Sequence, residues 1–455
     1  MTGFWPKKNL LLFILIVLAF LTRFLFLSYP SEVVFDEVHF GKFVAAYSSG
    51  KYYFDIHPPL GKLMIAGFCK LLGEQVNFDF EKIGEAFSAR TLFILRFLPA
   101  LAGSLFIILI YELILTIGLS KKTALLGSFL ILLDNAILVE SKFILTDIFL
   151  LFFGFASIFF FLKARSKNYF YVLAGIFAGL SFSIKWTGLS FLGIILFFSL
   201  IELIKNFKFK TLLLKSVYLI LVPFLIYLFV FFIHFELLPK SGPGDAYMSA
   251  AFQMTLQGNK ITGQQIKPLS LWGKFIELNK AMYSYSANLK TGHPNASYFY
   301  QWPLMKKPIW YWNKKINESS ANIYLFGNPI TWWLVTLFLP ISLFLSQVKK
   351  IERRVAPLFY FLFFGYLINI LPFIFVKRAT FLYHYLPALV FGILILILFI
   401  EKIFLAYQLN LSCKYLIGFL IFVSIIFLLV SPISYGFFLP EKINLYYLKI
   451  IGFFN

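Results

Sequence analysis

The chain has 455 residues, of which 60% are hydrophobic and 13% are charged, with 61 phenylalanines and a mean hydropathy of +0.84. This composition excludes a soluble globular protein and is typical of a polytopic membrane protein. The net charge of +21 does not indicate a nucleic-acid-binding protein. Most lysines and arginines fall in short runs between apolar segments, where the positive-inside rule places them.

Apolar segments recur along the whole chain. A membrane-spanning helix needs about 20 apolar residues, and the segments predicted to span are 9–29, 90–118, 123–139, 143–162, 169–183, 187–204, 212–234, 329–346, 355–376, 383–400 and 414–430. The first is too long for a signal-peptide core and lacks a small-residue cleavage site, so we expect it to be retained. The sequence predicts an all-α polytopic membrane protein that forms one membrane domain, 1–455.

The basic runs predict how the helices are oriented. If Lys7 and Lys8 lie in the cytoplasm, the later runs also fall in cytoplasmic loops, at 121–122, 163–167, 205–210 and 349–354. The extracytoplasmic parts are then a first loop at 30–89, which carries most of the chemistry described below, and a segment at 235–327 that we expect to form a small cap. A membrane region of four helices follows at 328–455.

The first extracytoplasmic loop is unusually rich in charge. The stretches FDEVHFGKF and YFDIHPPLGKL supply its candidate site residues, which are Asp36, Glu37, His39, Lys42, Asp55, His57 and Lys62. Asp36 and Glu37 point about 100° apart if the stretch is helical, so they are not a matched pair on one substrate atom. We predict Asp36 as a general base, because partial desolvation raises the pKa of a carboxylate. The alternative is a solvated pair at a helix N-terminus.

The motif HPPLGK predicts a stiff turn. Its two prolines restrict the backbone and would hold His57 and Lys62 in set positions facing a substrate. A metal site built from the aspartates and histidines of this loop is conceivable, but their spacing fits no familiar zinc pattern. Cys69 and Cys413 lie far apart and support neither a disulfide framework nor a zinc knuckle.

Several basic residues fall in or beside the outer half of the bilayer, where the positive-inside rule disfavours them: Arg23, Arg96, Lys185, Lys377 and Arg378. The phosphate of a lipid bound near the outer interface would neutralise several of them together. The alternative is that each one reaches the headgroups or pairs with an acid such as Glu140 or Asp147, which lie in an outer turn between two predicted helices.

Two later motifs, SIKWTGL and KRATFLYHYLPAL, place Lys185, Arg378 and His384 beside aromatic residues at the outer interface. An aromatic belt explains the tyrosines and the tryptophan there but not the cations. Residues 293–313 are rich in tryptophan and tyrosine, which suits sugar stacking, peptide docking or contact with the membrane surface.

Taken together, these motifs resemble the protein O-mannosyltransferase family of the C-type glycosyltransferase superfamily over nearly the whole chain. The resemblance rests on DEVHFGKF, YFDIHPPLGKL, LRFLPALAGSL, LDNAILVESKFILTD, SIKWTGL, HPNASYFYQWPL and RATFLYHYLPAL, in that order. It implies about eleven transmembrane helices with the Asp36 loop on the non-cytoplasmic side. It also implies an inverting reaction, in which a Ser or Thr hydroxyl of a translocated protein attacks the anomeric carbon of polyprenyl-phosphate-mannose.

The resemblance also implies roles for individual residues. Asp36 would be the base and Glu37 would help to place acceptor or donor, while Arg96 falls at a functionally important arginine of the family. The residues predicted to bind substrate are His39, Lys42, Asp55, His57, Lys62, Arg96, Asp147, Lys185, Arg378 and His384. Lysine and arginine can stabilise the departing phosphate, so no cofactor or metal is required, although a divalent cation is left open.

One departure from the family concerns the segment 235–327. Eukaryotic members carry a large β-trefoil insertion between the seventh and eighth helices, for which this segment is too short. The resemblance therefore implies a bacterial-type enzyme of the plasma (inner) membrane, with its active site on the extracytoplasmic face. Its partners would be the lipid bilayer, the polyprenyl-phosphate-mannose donor, secreted or membrane acceptor proteins and the protein translocation machinery, with no nucleic acid.

Two other functions stay open from the sequence. A related enzyme could transfer the sugar to a lipid or a cell-wall glycan. A transporter would instead use the acids and bases as a polar pathway, but it predicts broken helices and inverted repeats, and the sequence shows neither.

Overall fold

The computed structural model describes residues 8–261, 266–288, 292–406 and 413–454. The helices of its first half are α1 (Lys8–Phe24), α2 (Glu37–Ser49), α3 (Leu60–Leu71), α4 (Ala89–Thr116), α5 (Lys121–Leu132), α6 (Asn135–Glu140), α7 (Asp147–Lys163), α8 (Phe170–Ile184), α9 (Leu189–Lys205), α10 (Phe209–Ser216) and α11 (Val222–Leu237). Those of its second half are α12 (Ala250–Gln253), α13 (Leu271–Asn288), α14 (Pro329–Leu345), α15 (Lys349–Ile368), α16 (Leu386–Ala406), α17 (Cys413–Tyr435) and α18 (Glu441–Phe454). Three strands complete it: β1 (Ile309–Ile316), β2 (Ser319–Leu325) and β3 (Leu439–Pro440).

Six of the described helices are long and apolar enough to cross a membrane: Ala89–Thr116, Trp186–Lys205, Phe209–Leu237, Val355–Phe375, Leu382–Ile403 and Lys414–Tyr435. Shorter apolar helices lie at Leu10–Phe24, Phe170–Ile184 and Pro329–Leu345. All eleven segments predicted to span are mainly helical. The helical, multi-pass character of the chain is confirmed, while eleven crossings and the division into domains stay predictions.

Side-chain caps fix where several of these helices begin. The hydroxyl of Ser88 accepts a hydrogen bond from the backbone of Thr91 at the start of α4, and Ser120 does the same for α5. At the start of α14 the side chain of Asn328 accepts from the backbone of Ile330. Such caps satisfy amide groups that have no partner within the helix.

The predicted spans 123–139 and 212–234 are not single regular helices. The segment 123–139 is divided into α5 and α6, because the carboxylate of Asp134 accepts a hydrogen bond from the backbone of Ile137, at 3.0 Å, and begins a new helix. The segment 212–234 belongs to a longer helix in which a π-helical turn at Val217–Leu221 joins α10 to α11.

The helix α16 lies at the centre of the bundle. In the helix Leu382–Ile403, which contains most of α16, 78% of the most apolar stretch is buried inside the structure. The corresponding value for the peripheral helix Phe209–Leu237 is 28%. A hydrophobic cluster extends from α1 through α4, α5 and α7 to α15, α16 and α17. This scaffold carries the segments that the sequence predicts to be extracytoplasmic.

The predicted cap contains a sheet, which the all-α expectation did not include. Strands β1 and β2 form an antiparallel hairpin, and β3, which follows α17, extends it in the order β1-β2-β3. The tight turn places Asn317 at a φ of 49°, a left-handed conformation that asparagine tolerates. Within the hairpin the pairing shifts between Trp310 and Trp312, so that Tyr311 occupies a β-bulge.

Candidate active site

A cavity of about 310 Å³, here called the polar cavity, opens beside the start of α2. Its polar lining residues are Asp36, His39, Asp55, His57, Lys185, His293, Arg378 and Tyr383. They come from four separate stretches of the chain, including the loop 30–89, the end of α8 and the segment before α16. The structure therefore brings six of the predicted site residues to one place.

On one side, the polar cavity shares His57, Lys185 and Arg378 with a second cavity of about 470 Å³, the basic cavity. Lys377 and His384 also line this second cavity, and no acidic residue of the described part of the chain does so. An anionic group bound there would meet positive charge without a competing carboxylate in the lining.

The basic cavity shares Trp186, Phe373 and His384 with a third site of about 400 Å³, the apolar groove. Side chains from α7, α9 and α15 line this groove, among them Leu150, Leu189 and Ile368. The three sites thus form a series that runs from polar to basic to apolar, and the apolar end lies between helices predicted to span the membrane.

On its other side, the polar cavity shares Asp36, His39 and His293 with a groove of about 450 Å³, the outer groove. Its further lining residues include Glu81, Lys82, Asn295 and Trp310. Asp36 therefore stands between two spaces, each large enough for part of a substrate.

Asp36 is the residue that precedes α2, with φ of −69° and ψ of 0°. The pKa of Asp36 is raised to about 6, and burial is the main cause. The charges of His39 and Lys185 lower this pKa, while those of Asp147 and Asp55 raise it. A carboxylate that is ionised near neutral pH, yet basic enough to accept a proton, suits a general base.

Glu37 turns away from both spaces and is fully buried against Arg96. Its carboxylate accepts hydrogen bonds from Nε and Nη2 of Arg96 at 2.7 and 2.8 Å, and from the backbone N–H of Val34 and of Ile144, both at 2.9 Å. Arg96 also donates to three backbone carbonyls of the loop that leads to α2, those of Leu27, Pro30 and Glu32.

This pair corrects two predictions from the sequence. Neither Arg96 nor Glu37 lines any of the four cavities, because each already satisfies the other in a site with no exposed surface. Together they attach α4 to the loop that carries Asp36. Their role in the structure is to position that loop.

Of the five basic residues at the outer side, Arg23 and Arg96 lie inside the bundle and donate to backbone carbonyls. The other three, Lys185, Lys377 and Arg378, line the basic cavity. Lys185 forms an ion pair with Asp147 at 2.6 Å, and its Nζ lies 5.1 Å from the ring centre of Tyr383. Arg378 has no ion pair with any acid of the described residues, so its charge is free for a ligand.

The turn predicted from HPPLGK is present, but only one of its two functional side chains faces the polar cavity. Burial lowers the pKa of His57 well below its usual value, and the nearby charges of Lys185 and Arg378 add to this effect. Lys62 is buried, bonds to the carboxylate of Asp55 and donates to the backbone carbonyl of His57 at 3.0 Å. We therefore correct the prediction for Lys62, which holds the turn and does not face the polar cavity.

The remaining predicted residues divide between the cavities and the surface. His39 is exposed at the junction of the polar cavity and the outer groove. His384 lines the basic cavity, with its ring stacked on Trp302 at a centroid distance of 5.8 Å. Lys42 is exposed and lines none of the four cavities, so its assignment to substrate binding stays a prediction.

Tyr383 and His293 were not among the predicted site residues, although both line the polar cavity. An aromatic belt was the explanation for Tyr383, although its position between Arg378 and His384 was a usable signal. His293 lies far away in the chain, and only the fold brings it to Asp36.

A metal site among the acids and histidines of the first loop was left open. Within the described part of the chain, no three His, Cys, Asp or Glu side chains are grouped so that they could hold a metal ion. The expectation that the reaction needs no cofactor stays a prediction.

Comparisons with known proteins identify relatives over most of the chain. Residues 13–239 match the family model described as dolichyl-phosphate-mannose-protein mannosyltransferase, and residues 271–452 match the C-terminal four-helix membrane region of protein-O-mannosyltransferase. Dolichyl-phosphate-mannose–protein mannosyltransferase 1 of Saccharomyces cerevisiae is 36% identical over 309 residues, which is 63% of this chain and 38% of the yeast protein. The chain thus spans well under half the length of the curated relatives it matches.

Solved structures show the same fold. The S. cerevisiae protein O-mannosyltransferase Pmt1-Pmt2 complex bound to the sugar donor matches 96% of this chain and 91% of the solved chain, with a TM-score of 0.86 and 24% identity. ArnT from Cupriavidus metallidurans in the apo state matches 91% of this chain and 61% of its own, with a TM-score of 0.51 and 13% identity.

Proposed function

Since this chain belongs to the protein O-mannosyltransferase family and has the fold of C-type membrane glycosyltransferases, we propose that it transfers mannose from polyprenyl-phosphate-mannose to Ser or Thr hydroxyls of translocated proteins, with inversion at the anomeric carbon. The observation that carries this proposal is the position of Asp36. Its carboxylate separates the outer groove from the series of polar cavity, basic cavity and apolar groove.

The donor occupies the series from the polar cavity to the apolar groove. Its isoprenoid chain lies among Leu150, Leu189 and Ile368, and its phosphate lies in the basic cavity beside Arg378 and Lys185. The guanidinium group can bind two phosphate oxygens at once, while the ammonium group acts as a compact charge. The sugar then reaches the polar cavity, whose walls carry the hydrogen-bonding groups.

The acceptor approaches from the outer groove, on the opposite side of Asp36. As the Ser or Thr hydroxyl attacks the anomeric carbon, the carboxylate of Asp36 takes the hydroxyl proton. Attack from the face opposite the phosphate inverts the configuration of the sugar. The base and the leaving group therefore have to stand on different sides of the sugar, as the outer groove and the basic cavity do.

The leaving phosphate needs charge stabilisation and no proton. Negative charge builds up on the bridging oxygen as the bond to the sugar breaks, and cations held in place beside it lower the energy of the transition state. Lys185 is held by Asp147 at 2.6 Å, and Arg378 is free to bind the phosphate directly.

The location and the partners follow from this reaction. We place the enzyme in the plasma membrane with Asp36 on the extracytoplasmic face, where newly translocated proteins present their hydroxyl groups. Coupling to the translocation machinery would bring acceptor segments to the outer groove before they fold.

The test compares wild type with Asp36→Asn and Arg378→Ala in liposomes, using radiolabelled polyprenyl-phosphate-mannose and a Ser/Thr-rich peptide. Asp36→Asn is expected to abolish label transfer while donor binding persists, because the amide cannot accept the proton. Arg378→Ala is expected to raise the donor KM about tenfold or more, since a charge-assisted contact to phosphate is lost.

If the label appears on a lipid or glycan in place of the peptide, the chain is still a glycosyltransferase. The proposal that its acceptor is a protein would then be wrong. If no sugar is transferred and a solute crosses the vesicle membrane without the donor, the chain is a transporter and the proposed enzymatic function is wrong.

A further inference from the structure

The residue before Asp36 has an unusual backbone conformation. Phe35 has a φ of 46°, in the left-handed region that a bulky residue rarely adopts. Such a conformation costs free energy and persists only when neighbouring groups hold it. The direction of the Asp36 side chain depends on this turn, so the contacts that hold Phe35 matter for the site.

Tyr311 supplies two of these contacts. Its backbone carbonyl accepts a hydrogen bond from the N–H of Phe35 at 3.0 Å. The two aromatic rings stack with their centres 4.1 Å apart and their planes within 12°. One residue of the distant hairpin thus holds both the backbone and the side chain of Phe35.

The β-bulge makes these contacts possible. Tyr311 has no partner in the register of the hairpin, because Trp310 pairs with Tyr324 and Trp312 pairs with Ile323. A bulged residue leaves its backbone groups outside the ladder and redirects its side chain. The carbonyl of Tyr311 is thereby free for Phe35.

Glu140 fixes the other end of the Tyr311 side chain. The phenol donates to Oε1 of Glu140 at 2.6 Å, and both side chains are buried. Oε2 of Glu140 has no hydrogen-bond partner among the described residues. A buried carboxyl group with one unsatisfied oxygen is costly for stability, so its presence points to a purpose beyond holding the fold together.

We propose that Tyr311 and Glu140 are positioning residues for Asp36: Tyr311 holds Phe35 in the conformation that aims the Asp36 carboxylate between the polar cavity and the outer groove, and Glu140 keeps Tyr311 in place. This inference rests on the proposed function of Asp36 as the base. Neither positioning residue touches the substrate. The pair joins α6 and the hairpin to the catalytic turn.

Kinetics with purified protein test the proposal. Tyr311→Leu removes the stacking and the phenol, so kcat is expected to fall by about 10- to 100-fold, the scale of a misplaced catalytic group, with the donor KM unchanged. Tyr311→Phe keeps the ring and should retain more activity than Tyr311→Leu. Glu140→Gln keeps an acceptor for the phenol and should retain activity that Glu140→Leu loses.

Tyr324→Leu is the matched control, because Tyr324 lies on the other strand of the same hairpin and pairs with Trp310. It removes a tyrosine without touching the Phe35 contacts, and its kcat should stay near that of wild type. A purely structural role for Tyr311 predicts a lower Tm with kcat per folded molecule unchanged, which would overturn the proposal. A kcat for Tyr311→Leu no lower than that of Tyr324→Leu would do the same.

A second measurement does not depend on sugar transfer. The rate at which a carbodiimide couples an amine to Asp36 reports the accessibility of its carboxyl group. Mass spectrometry measures this rate. The coupling rate is expected to change several-fold in Tyr311→Leu and Glu140→Leu and to match wild type in Glu140→Gln and Tyr324→Leu. If the wild type transfers no mannose but this pattern appears, the proposed function fails and the positioning role stands. Identical labelling in all variants rejects the positioning role.

Discussion

Asp36 and Glu37 show how adjacent acids acquire different roles. Asp36 precedes the first turn of α2 and faces two cavities, whereas Glu37 is the first residue of the helix and points into the bundle. Successive helical positions point about 100° apart, so one can face a cavity while the other is buried. The contact with Arg96 then decides that Glu37 is structural.

The ionisation of Asp36 predicts a pH dependence. Its pKa is raised to about 6, and only the carboxylate can accept the hydroxyl proton, so kcat/KM should fall as the pH drops through about 6. The measurement is a pH profile of mannose transfer in liposomes. His39→Gln should keep this acidic limb and move it to higher pH, because the charge of His39 lowers the pKa of Asp36. If the fall of kcat/KM at acidic pH disappears in His39→Gln, the titrating group is His39 and not Asp36.

The buried pair of Arg96 and Glu37 predicts a large effect on stability. Arg96→Met leaves the Glu37 carboxylate buried without its cation, which costs about 3–5 kcal/mol and should lower the Tm in detergent strongly. Arg90→Ala is the matched control, since the Arg90 side chain is 82% exposed and lies 4.0 Å from Glu74. Its effect should stay within about 0.5 kcal/mol. If Arg96→Met instead left the Tm unchanged and weakened donor binding, Arg96 would be a ligand of the donor phosphate and not a structural residue.

Among the helices, α8 makes the closest backbone contact described here. A Cβ atom added at Gly175 would lie 1.8 Å from the backbone carbonyl oxygen of Tyr218, which belongs to the π-helical turn between α10 and α11. Backbone atoms cannot move aside as a flexible side chain can, so glycine is required at this crossing.

Gly175→Ala is therefore expected to destabilise the protein by about 1–3 kcal/mol through overpacking, seen as a lower Tm. Gly418→Ala tests the opposite case within α17, because a Cβ atom there meets nothing within 4 Å. That substitution should leave the Tm unchanged or raise it slightly, since alanine favours the helix. Equal Tm values for the two variants would mean that α8 and the π-helical turn separate at little cost.

The hairpin shows what an element can add to a site without lining its centre. Strand β1 carries Tyr311 to the Phe35 turn, and α18 secures the far side of the sheet through Asn444, which accepts a hydrogen bond from Asn322 at 2.8 Å. The all-α expectation missed the hairpin because apolar runs identify membrane helices well, while two short strands in a polar segment give a weak periodic signal.

For the whole molecule, the arrangement of basic residues predicts the orientation in the membrane. The other basic runs fall in loops predicted to be cytoplasmic, whereas Lys185, Lys377 and Arg378 line the basic cavity. Cations on the disfavoured side are explained when they bind an anionic lipid group.

This orientation predicts which sites are labelled from outside the cell. In a Cys413→Ser background, where Cys69 is buried, cysteine is introduced by Ser48→Cys in α2 or by Ser166→Cys after α7, at two exposed positions. A membrane-impermeant maleimide should label the first variant in intact cells and the second only after permeabilisation. The reverse pattern would place Asp36 in the cytoplasm and remove the proposed access for translocated acceptors.

The sequence by itself determined the class of the protein, its helical segments and the charged stretch that holds Asp36. These depend on local composition: apolar runs, basic loops and a dense group of charges stand out without knowledge of contacts. The family motifs further indicated Lys185 and Arg378, which the structure places beside the basic cavity.

Only the tertiary structure decided which charged residues line a cavity and which are paired inside the bundle. Arg96, Lys62 and Arg378 are alike as sequence signals, yet the first two are buried in ion pairs and the third faces two cavities without one among the described residues. The roles of Tyr311 and Glu140 also depend on contacts between distant parts of the chain. Whether a charge is paired is a property of its neighbours in space, and local sequence does not contain that information.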